Sequence, residues 1–455
     1  MKTIFTFLLA FIANFTLQAQ PLIDGQDYIS QATVQADSIS QATVQADSVP
    51  QATVQADFVS LPPDSTAPVP GASASGLPVS SYPDSLPWPD NVRARLEAIL
   101  STSPLLSTSN MGLMVYDLTA DSTIFCYNER KTLRPASTMK LITAITAIDR
   151  LGGSYQFRTS LRYTGTVSDN VLTGDVYCVG GFDPRFNSDD LTAFVEGIRS
   201  LGVDTIRGSL VADKMMKNED RLGWGWCWDD DNPVLSPLLI SRKDNFMERF
   251  VSELVDAGIV ILGNIIEGDT PSDAYELVDR THSIDQILMR MMKDSDNLYA
   301  ESLFYQLAAS SGNRPCNAQD ARNIIKRLVC KLGLHPSNYV FADGSGLSLY
   351  NYVTAELEVE MLKYAYRNSN VYLHLYPSLP IAGSDGTLKR RMRNAFTADN
   401  VRAKTGTLSG VQSLAGYCST PNNHTLCFAI INNGSLKDGP ARALQDEICK
   451  ELCRP

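Results

Sequence analysis

The chain has 455 residues, 44% apolar and 20% charged, with 39 basic against 50 acidic side chains and a net charge of -11. That is enough for two or three globular units at roughly 150 residues each, and the acidic balance excludes a nucleic-acid partner, because nothing supplies a long-range attraction to phosphates. The four His are scattered without an HxxxH pair and the nine Cys without a CxxC pair, so neither a zinc site nor a disulfide-stapled miniprotein is expected.

The N-terminus is expected to set the compartment. Lys2 precedes an apolar run from Ile4 to Ala13, followed by small and polar residues through Ala19 and Gln20. This is the layout of a secretory signal, with residues 1–19 removed. The run is shorter than the roughly 20 residues that span a bilayer, and no Cys near the cleavage point marks a lipid anchor. The mature protein is therefore expected to be soluble and periplasmic, without a transmembrane anchor. QATVQAD then recurs at Gln31, Gln41 and Gln51, and a Pro/Ser/Ala-rich stretch runs from Leu61 to about Pro89. With no apolar face to bury, residues 20–88 read as a disordered tether with a reach of roughly 45 Å.

Residues 91–102 have amphipathic helical spacing, and Met111–Leu118 and Thr123–Tyr127 form a hairpin across Thr119-Ala120-Asp121-Ser122. A helix starts near Ser137 and runs to about Leu151. From 156 to about 265 the pattern changes to strands (157–164, 171–179, 205–212), with helices near 189–201 and 245–258. Helical spacing resumes at 283–309, 318–332 and 353–367. Strands follow at 400–408, 411–419 and 425–432, and a helix from Ala441 to Cys453 closes the chain. Clustered rather than alternating elements predict an α+β fold with an antiparallel sheet. In this reading residues 156–265 are an inserted, mainly-β domain between the two parts, 89–155 and 266–455, of a single domain.

Three short motifs carry the chemistry. Among the lysines only Lys140 has a serine, Ser137, three positions earlier. Pro135 precedes the predicted helix, so both side chains fall on one face of its first turns. A hydroxyl becomes a nucleophile when a base removes its proton, and an amine does this only when neutral. Burial or a nearby cation lowers a lysine pKa far enough. Alone, the pair also fits a helix cap and a solvated lysine. Ser-Asp-Asn occurs twice. Ser168-Asp169-Asn170 lies between strand-like runs and reads as a hairpin tip. Ser295-Asp296-Asn297 interrupts an amphipathic helical pattern, so its polar groups need a partner or a cavity. Lys404-Thr405-Gly406-Thr407 contains the one Lys-Thr-Gly, on a strand where Lys404 and Gly406 share a face. Here the glycine admits a substrate backbone to the strand edge, and the ammonium attracts a carboxylate and depresses the pKa of Lys140.

In this order, on helix start, helix body and edge strand, the motifs resemble the S-x-x-K, S-x-N and K-T-G signature of the penicillin-recognising serine acyl-enzymes. Further stretches narrow the resemblance to the D-alanyl-D-alanine carboxypeptidase/endopeptidase family of the penicillin-binding protein 4 type. These are Gly180-Gly181-Phe182-Asp183-Pro184, Trp228-Asp229-Asp230, Asp343-Gly344-Ser345-Gly346-Leu347-Ser348 and Ile381-Ala382-Gly383-Ser384-Asp385-Gly386-Thr387-Leu388. The resemblance implies a β-lactamase/transpeptidase-like fold, with Ser137 as acylated nucleophile and Lys140 as its base. It further implies that Ser295 passes a proton to the leaving group and that Asn297 binds a substrate amide. Lys404 and Thr405 would hold the terminal carboxylate of a D-Ala-D-Ala peptide, with Gly406 between them and Thr407. The N–H groups of Ser137 and Thr407 would form the oxyanion hole. The implied reaction is loss of the terminal D-Ala from peptidoglycan stem peptides, and some members also cut cross-links. β-Lactams would act as covalent inhibitors, and no metal or organic cofactor is implied. The chain departs from many relatives at Leu349, where they carry Arg, and at Ser409, where a Gln is sometimes found.

A β-lactamase or esterase of the same fold is the nearest alternative, but it needs an activated water and no suitable glutamate motif precedes Lys404. A non-catalytic wall-peptide binder is opposed by the intact residue set. Trp224, Trp226 and Trp228 are expected in the core of the inserted domain. Cys418 and Cys427, on neighbouring predicted strands, are candidates to face one another, while Cys449 and Cys453 are expected to pack as small apolar residues.

Overall fold

A computed structural model describes residues 83–229 and 231–455. The expected signal at 1–19, the QATVQAD repeats and the linker up to residue 82 lie outside the described residues. Residues 83–88, expected in the linker, are held against the fold: Asp84 pairs with Arg95 (3.3 Å) and Arg454 (2.5 Å), and the Trp88 ring lies 5.2 Å from that of His424. No helix among the described residues is long and apolar enough to cross a membrane.

Helix α1 (Asp90–Thr102) leads into the hairpin β1 (Asn110–Asp117) and β2 (Ser122–Tyr127). A 3-10 turn at Ala136–Thr138 precedes α2 (Met139–Leu151). There follow β3 (Gln156–Tyr163), β4 (Thr166–Ser168), β5 (Val171–Thr173), β6 (Val176–Val179) and α3 (Ser188–Ser200). Next come β7 (Thr205–Ile206), β8 (Leu210–Asp213), α4 (Phe246–Asp256), β9 (Val260–Ile261), β10 (Ile265–Glu267) and β11 (Tyr275–Ser283). Helices α5 (Ile284–Lys293), α6 (Asn297–Ala309), α7 (Ala318–Lys331), α8 (Ala355–Arg367) and α9 (Ser369–Ser378) come after them. Strands β12 (Arg402–Leu408), β13 (Val411–Ser419) and β14 (Thr425–Asn433) and helix α10 (Asp438–Cys453) complete the chain.

The main sheet is antiparallel throughout, in the order β12-β13-β14-β1-β2. Its side chains alternate between two cores, as period-two geometry requires. Leu113, Val115, Phe428 and Ile430 pack with α1 and α10, while Met114, Tyr116, Ala429 and Ile431 pack with α2 and the helices after it. The alternation corrects the cysteine expectation. Tyr417, not Cys418, lies opposite Cys427, so Cys418 and Cys427 face opposite cores, and all nine cysteines are free thiols.

The chain between α2 and α5 builds two mixed sheets, β10-β8-β6-β3-β11 and β4-β5-β7-β9. Four chain passes run from one sheet into the other: β3 to β4, β5 to β6, β7 to β8 and β9 to β10. At each crossing sits a glycine: Gly165, Gly174, Gly208 and Gly263. A Cβ at Gly174 would come within 1.9 Å of the Thr164 carbonyl oxygen, one at Gly208 within 2.0 Å of that of Gly174, and one at Gly263 within 2.0 Å of that of Gly208. The backbones touch along this row, which explains why 171–179 and 205–212, each expected as one strand, are each two. Strand β11 pairs along its length with β3, so the sheet takes in residues well past the expected limit of 265. With α3 and α4 packed on it and parallel pairs inside it, this part is mixed α and β rather than mainly β. Asp169 and Asn170, both at positive φ, form the expected hairpin tip between β4 and β5. Of the three tryptophans only Trp226 is buried, and it joins the helical core instead; Trp224 is 51% and Trp228 84% exposed.

The core around α3 and α4 stacks Phe186, Phe194, Phe246 and Phe250 with ring centroids 5.1–6.3 Å apart. Phe194→Ala is expected to cost about 3–5 kcal/mol, because the cavity cannot collapse among rings held from several sides. Urea unfolding read together with hydrogen exchange in β3–β8 checks this; a loss below about 1 kcal/mol would contradict the packing described.

Candidate active site

Helix α2 is apolar on nearly all sides, and Met139 to Ile148 are all buried. A helix of that character sits in a core, so Lys140 is carried to the interior, where its side chain is 0% exposed. Its Nζ lies 3.1 Å from Ser137 Oγ, 2.7 Å from Asn297 Oδ1 and 2.8 Å from the carbonyl oxygen of Ser345. Two of these partners only accept. A neutral amine gives them its two N–H groups and aims its lone pair at the Ser137 hydroxyl. The ammonium is served by the same three oxygens, so a proton moves from Oγ to Nζ without rearrangement. Burial lowers the Lys140 pKa to about 8, against the opposing pull of Asp343, Glu301 and Asp296.

Ser137 lies in the 3-10 turn before α2 rather than in the helix, and it is half-buried. Ala136 before it has φ +49, a strained value for a residue with a Cβ. Two glycines fit around that turn. Gly346 has φ +82, and a Cβ there would stand 1.9 Å from the Ala136 carbonyl oxygen. Gly406 on β12 faces the turn from the sheet side, where a Cβ would meet Ser413 Oγ at 2.0 Å, the Pro135 carbonyl at 2.7 Å and Ser137 N at 2.9 Å. The glycine of Lys-Thr-Gly is thus required by the serine turn.

Ser295-Asp296-Asn297 breaks the predicted 283–309 helix in two. Helix α5 stops at Lys293, Ser295 takes φ +59, and α6 starts at Asn297 with the Asp296 carboxylate accepting from Leu298 N at 3.1 Å. Arg242 and Arg290 both donate to the other Asp296 oxygen. Ser295 Oγ meets Lys404 Nζ at 2.8 Å, and Lys404 also donates to the Thr405 carbonyl at 2.7 Å. Lys404 is buried, and its pKa lies well below the usual lysine value, first through burial and then through the nearby charge of Lys140. The expectation that Lys404 depresses the Lys140 pKa is therefore corrected: burial alone lowers it, and it is the Lys140 charge that adds to the burial of Lys404. Thr405 Oγ1 shares a hydrogen bond of 2.7 Å with Thr387 Oγ1, and Lys293 ties the Thr387 loop down through Asp385 at 2.6 Å.

Hydrogen bonds and close backbone approach thus bring six of the residues singled out from the sequence together, Ser137, Lys140, Ser295, Asn297, Lys404 and Gly406; Thr405 and Thr407 flank Gly406 on β12, with Arg442 of α10 3.4 Å from the Thr407 hydroxyl. The two amines are buried, and Ser137, Ser295 and Thr405 beside them are half-buried. Among the described residues, a marked concavity lies elsewhere. It measures about 750 Å³, is lined by Lys214, Lys217, Trp228 and Glu267 among others, and has none of the eight residues singled out from the sequence in its wall. Sequence reasoning gave no role to Glu301, Thr143, Asp343 and Ser345, which build the wall beside Lys140. A carboxylate four residues after Asn297 in an otherwise apolar helical run was the available signal.

Gly406→Ala is expected to lower stability by about 1–3 kcal/mol through overpacking against the Pro135–Ser137 turn. Ser413→Ala in the same chain is expected to recover only part of that, since two backbone contacts remain. Urea unfolding of the single and double variants measures it; a neutral Gly406→Ala would contradict the contact.

Residues 92–240 and 240–452 match the model of the D-Ala-D-Ala carboxypeptidase 3 (S13) family. The chain is 28% identical to the D-alanyl-D-alanine carboxypeptidase of Actinomadura sp. (strain R39), over 79% of this chain and 84% of that protein. It is 26% identical to the D-alanyl-D-alanine carboxypeptidase DacB of Haemophilus influenzae, over 73% and 87%. The crystal structure of penicillin binding protein 4 (dacB) from Haemophilus influenzae superposes with a TM-score of 0.71 at 24% identity, over 78% of this chain and 98% of that one. The expected α+β transpeptidase-like fold is therefore present. The chain belongs to the D-Ala-D-Ala carboxypeptidase 3 (S13) family, serine-type carboxypeptidases of peptidoglycan.

Proposed function

We propose that the protein is a periplasmic D,D-carboxypeptidase that works through an acyl-enzyme on Ser137. The observation that carries this reading is the Lys140 amine, 3.1 Å from Ser137 Oγ with its two N–H groups taken by Asn297 and Ser345. Ser137 Oγ attacks the carbonyl carbon between the two terminal D-Ala residues while its proton passes to Lys140. The N–H groups of Ser137 and Thr407 hold the oxyanion, a role that fits the closeness of β12 to the serine turn. The tetrahedral intermediate collapses with cleavage of the C–N bond. The departing nitrogen takes a proton through Ser295, and free D-Ala leaves. Water then cleaves the ester and restores Ser137.

Lys404 and Thr405 receive the substrate carboxylate. The arriving anion returns to Lys404 the charge that burial opposes, so the buried cation and the anion stabilise one another. Asn297 orients a substrate amide. A β-lactam carries the same carboxylate and a strained amide, and it acylates Ser137 with no separate leaving group to diffuse away. The crystal structure of the Haemophilus influenzae protein in complex with a β-lactam supports extending this reading to the present chain.

Fluorescent penicillin is expected to label the protein at Ser137, with no label on Ser137→Ala and acylation slowed about 10³-fold or more in Lys140→Ala. Intact-mass spectra without an adduct on the unaltered protein would overturn the reading. A D-Ala-D-Ala pentapeptide is expected to release D-Ala, and an adduct that decays slowly separates the peptidase from a β-lactamase. The acylating form has Lys140 neutral. The rate therefore falls as pH drops below about 8, and stopped-flow acylation across pH 6–9 checks the sign.

A further inference from the structure

Lys140 does not choose its own position. One of its two obligate acceptors, the Ser345 carbonyl, belongs to a buried loop, and that loop is tied from two sides. Glu301 Oε1 accepts from Gly344 N at 3.1 Å and from Ser345 N at 2.8 Å. Thr143, one turn along α2 from Lys140, donates to the Gly344 carbonyl at 2.7 Å. Behind the loop, Asp343 accepts from Gly346 N at 2.8 Å and from Trp226 Nε1 at 2.9 Å. Asn297 and Glu301 stand four residues apart on α6, so one helix face presents an acceptor directly to Lys140 and, through the loop, fixes the other.

We propose that Glu301 is the positioning residue of the acylation reaction: it fixes the Ser345 carbonyl that receives one N–H of Lys140 and couples its own proton to that amine.

The coupling follows from what surrounds the two groups. Lys140 faces Glu301 and Asp296 of α6 and the segment before it, Asp343 of the loop and Lys404 of β12. Glu301 faces Asp343 and Lys140, with Tyr305 on its own helix and Arg322 of α7 nearby. Burial and the Asp343 charge push the Glu301 carboxyl up to about 8, against the N–H groups it accepts. As pH rises through that range Glu301 gains a negative charge, which holds the proton on Lys140. In the unaltered protein, loss of the Lys140 proton is therefore spread over a wider span than a single site shows. Glutamine has the shape of the protonated carboxyl and an oxygen for the same two N–H groups, but it takes no charge.

The inference rests on the Ser137 acyl-enzyme reading, and the experiment separates the two. Stopped-flow acylation by a chromogenic cephalosporin gives the acylation rate constant and the initial binding constant across pH 6–9. Glu301→Gln is expected to keep the plateau rate within about threefold, while the acid limb becomes a single-proton curve with a midpoint lower by about 0.5–1 unit. Glu301→Leu, without the acceptor, is expected to lose at least about tenfold in rate with the binding constant unchanged. If Glu301→Leu does not fold, Thr143→Val removes the other anchor of the loop and is expected to lose rate in the same way. An unlabelled native protein overturns the acyl-enzyme reading itself. A labelled native protein with an unmoved Glu301→Gln limb, or with Gln and Leu equally impaired, overturns only the positioning role.

Discussion

A lysine amine in an apolar interior has nowhere to spread a charge, and this constraint organises the rest of the molecule. Helix α2 is buried all round, so Lys140 loses water from every side. Three carboxylates pull in the opposite direction, and the balance falls at about 8. A group placed there is a base at moderate pH and becomes an acid as soon as it has taken a proton. In the proposed mechanism it takes the serine proton and is then the source of the proton that reaches the departing nitrogen through Ser295. The acceptors at Asn297 and Ser345 turn a merely displaced pKa into a directed lone pair.

Around that amine the chain tolerates backbone strain. Ala136 and Ser295, neither of them glycine, both have positive φ. Such conformations persist only where neighbours over-determine them, and the neighbours are visible: Gly346 and Gly406 close on the serine turn, and the Asp296 cap fixes the turn that carries Ser295. The two glycines leave no room for a Cβ, so the nucleophile turn is clamped between a loop and a strand rather than resting on its own helix. Lys404, reaching Ser295, ties β12 to the turn between α5 and α6.

Much of this was legible in the residues because the signals were local. The serine and lysine fall one turn apart at a helix start, and the runs at Met111–Leu118, 411–419 and 425–432 read as strands of an antiparallel sheet. What stayed hidden depended on distant backbone. Ser295-Asp296-Asn297 reads as a polar patch within a helix, because the helical spacing on both sides is uninterrupted; the break comes from an Asp cap pinned by Arg242, more than fifty residues away. Residues 171–179 read as one strand because only the contacts of Gly174 with Thr164 and Gly208 reveal a crossing between sheets. Burial and a second ammonium were both expected to depress the lysine pKa; burial does so and Lys404 does not, and how deeply Lys140 is buried belongs to the folded chain rather than to any motif. Trp226 was placed in the wrong core for the same reason: its indole N–H goes to Asp343, which lies far along the sequence.

The most direct test of the account is the titration of Lys140 itself, observed by NMR in protein carrying 13Cε-labelled lysine and assigned with Lys140→Arg. A resonance that titrates with a midpoint near 8 is the predicted result. A midpoint near 10.5, the ordinary value for a solvated lysine, would contradict the claim that burial holds this amine ready to take the serine proton.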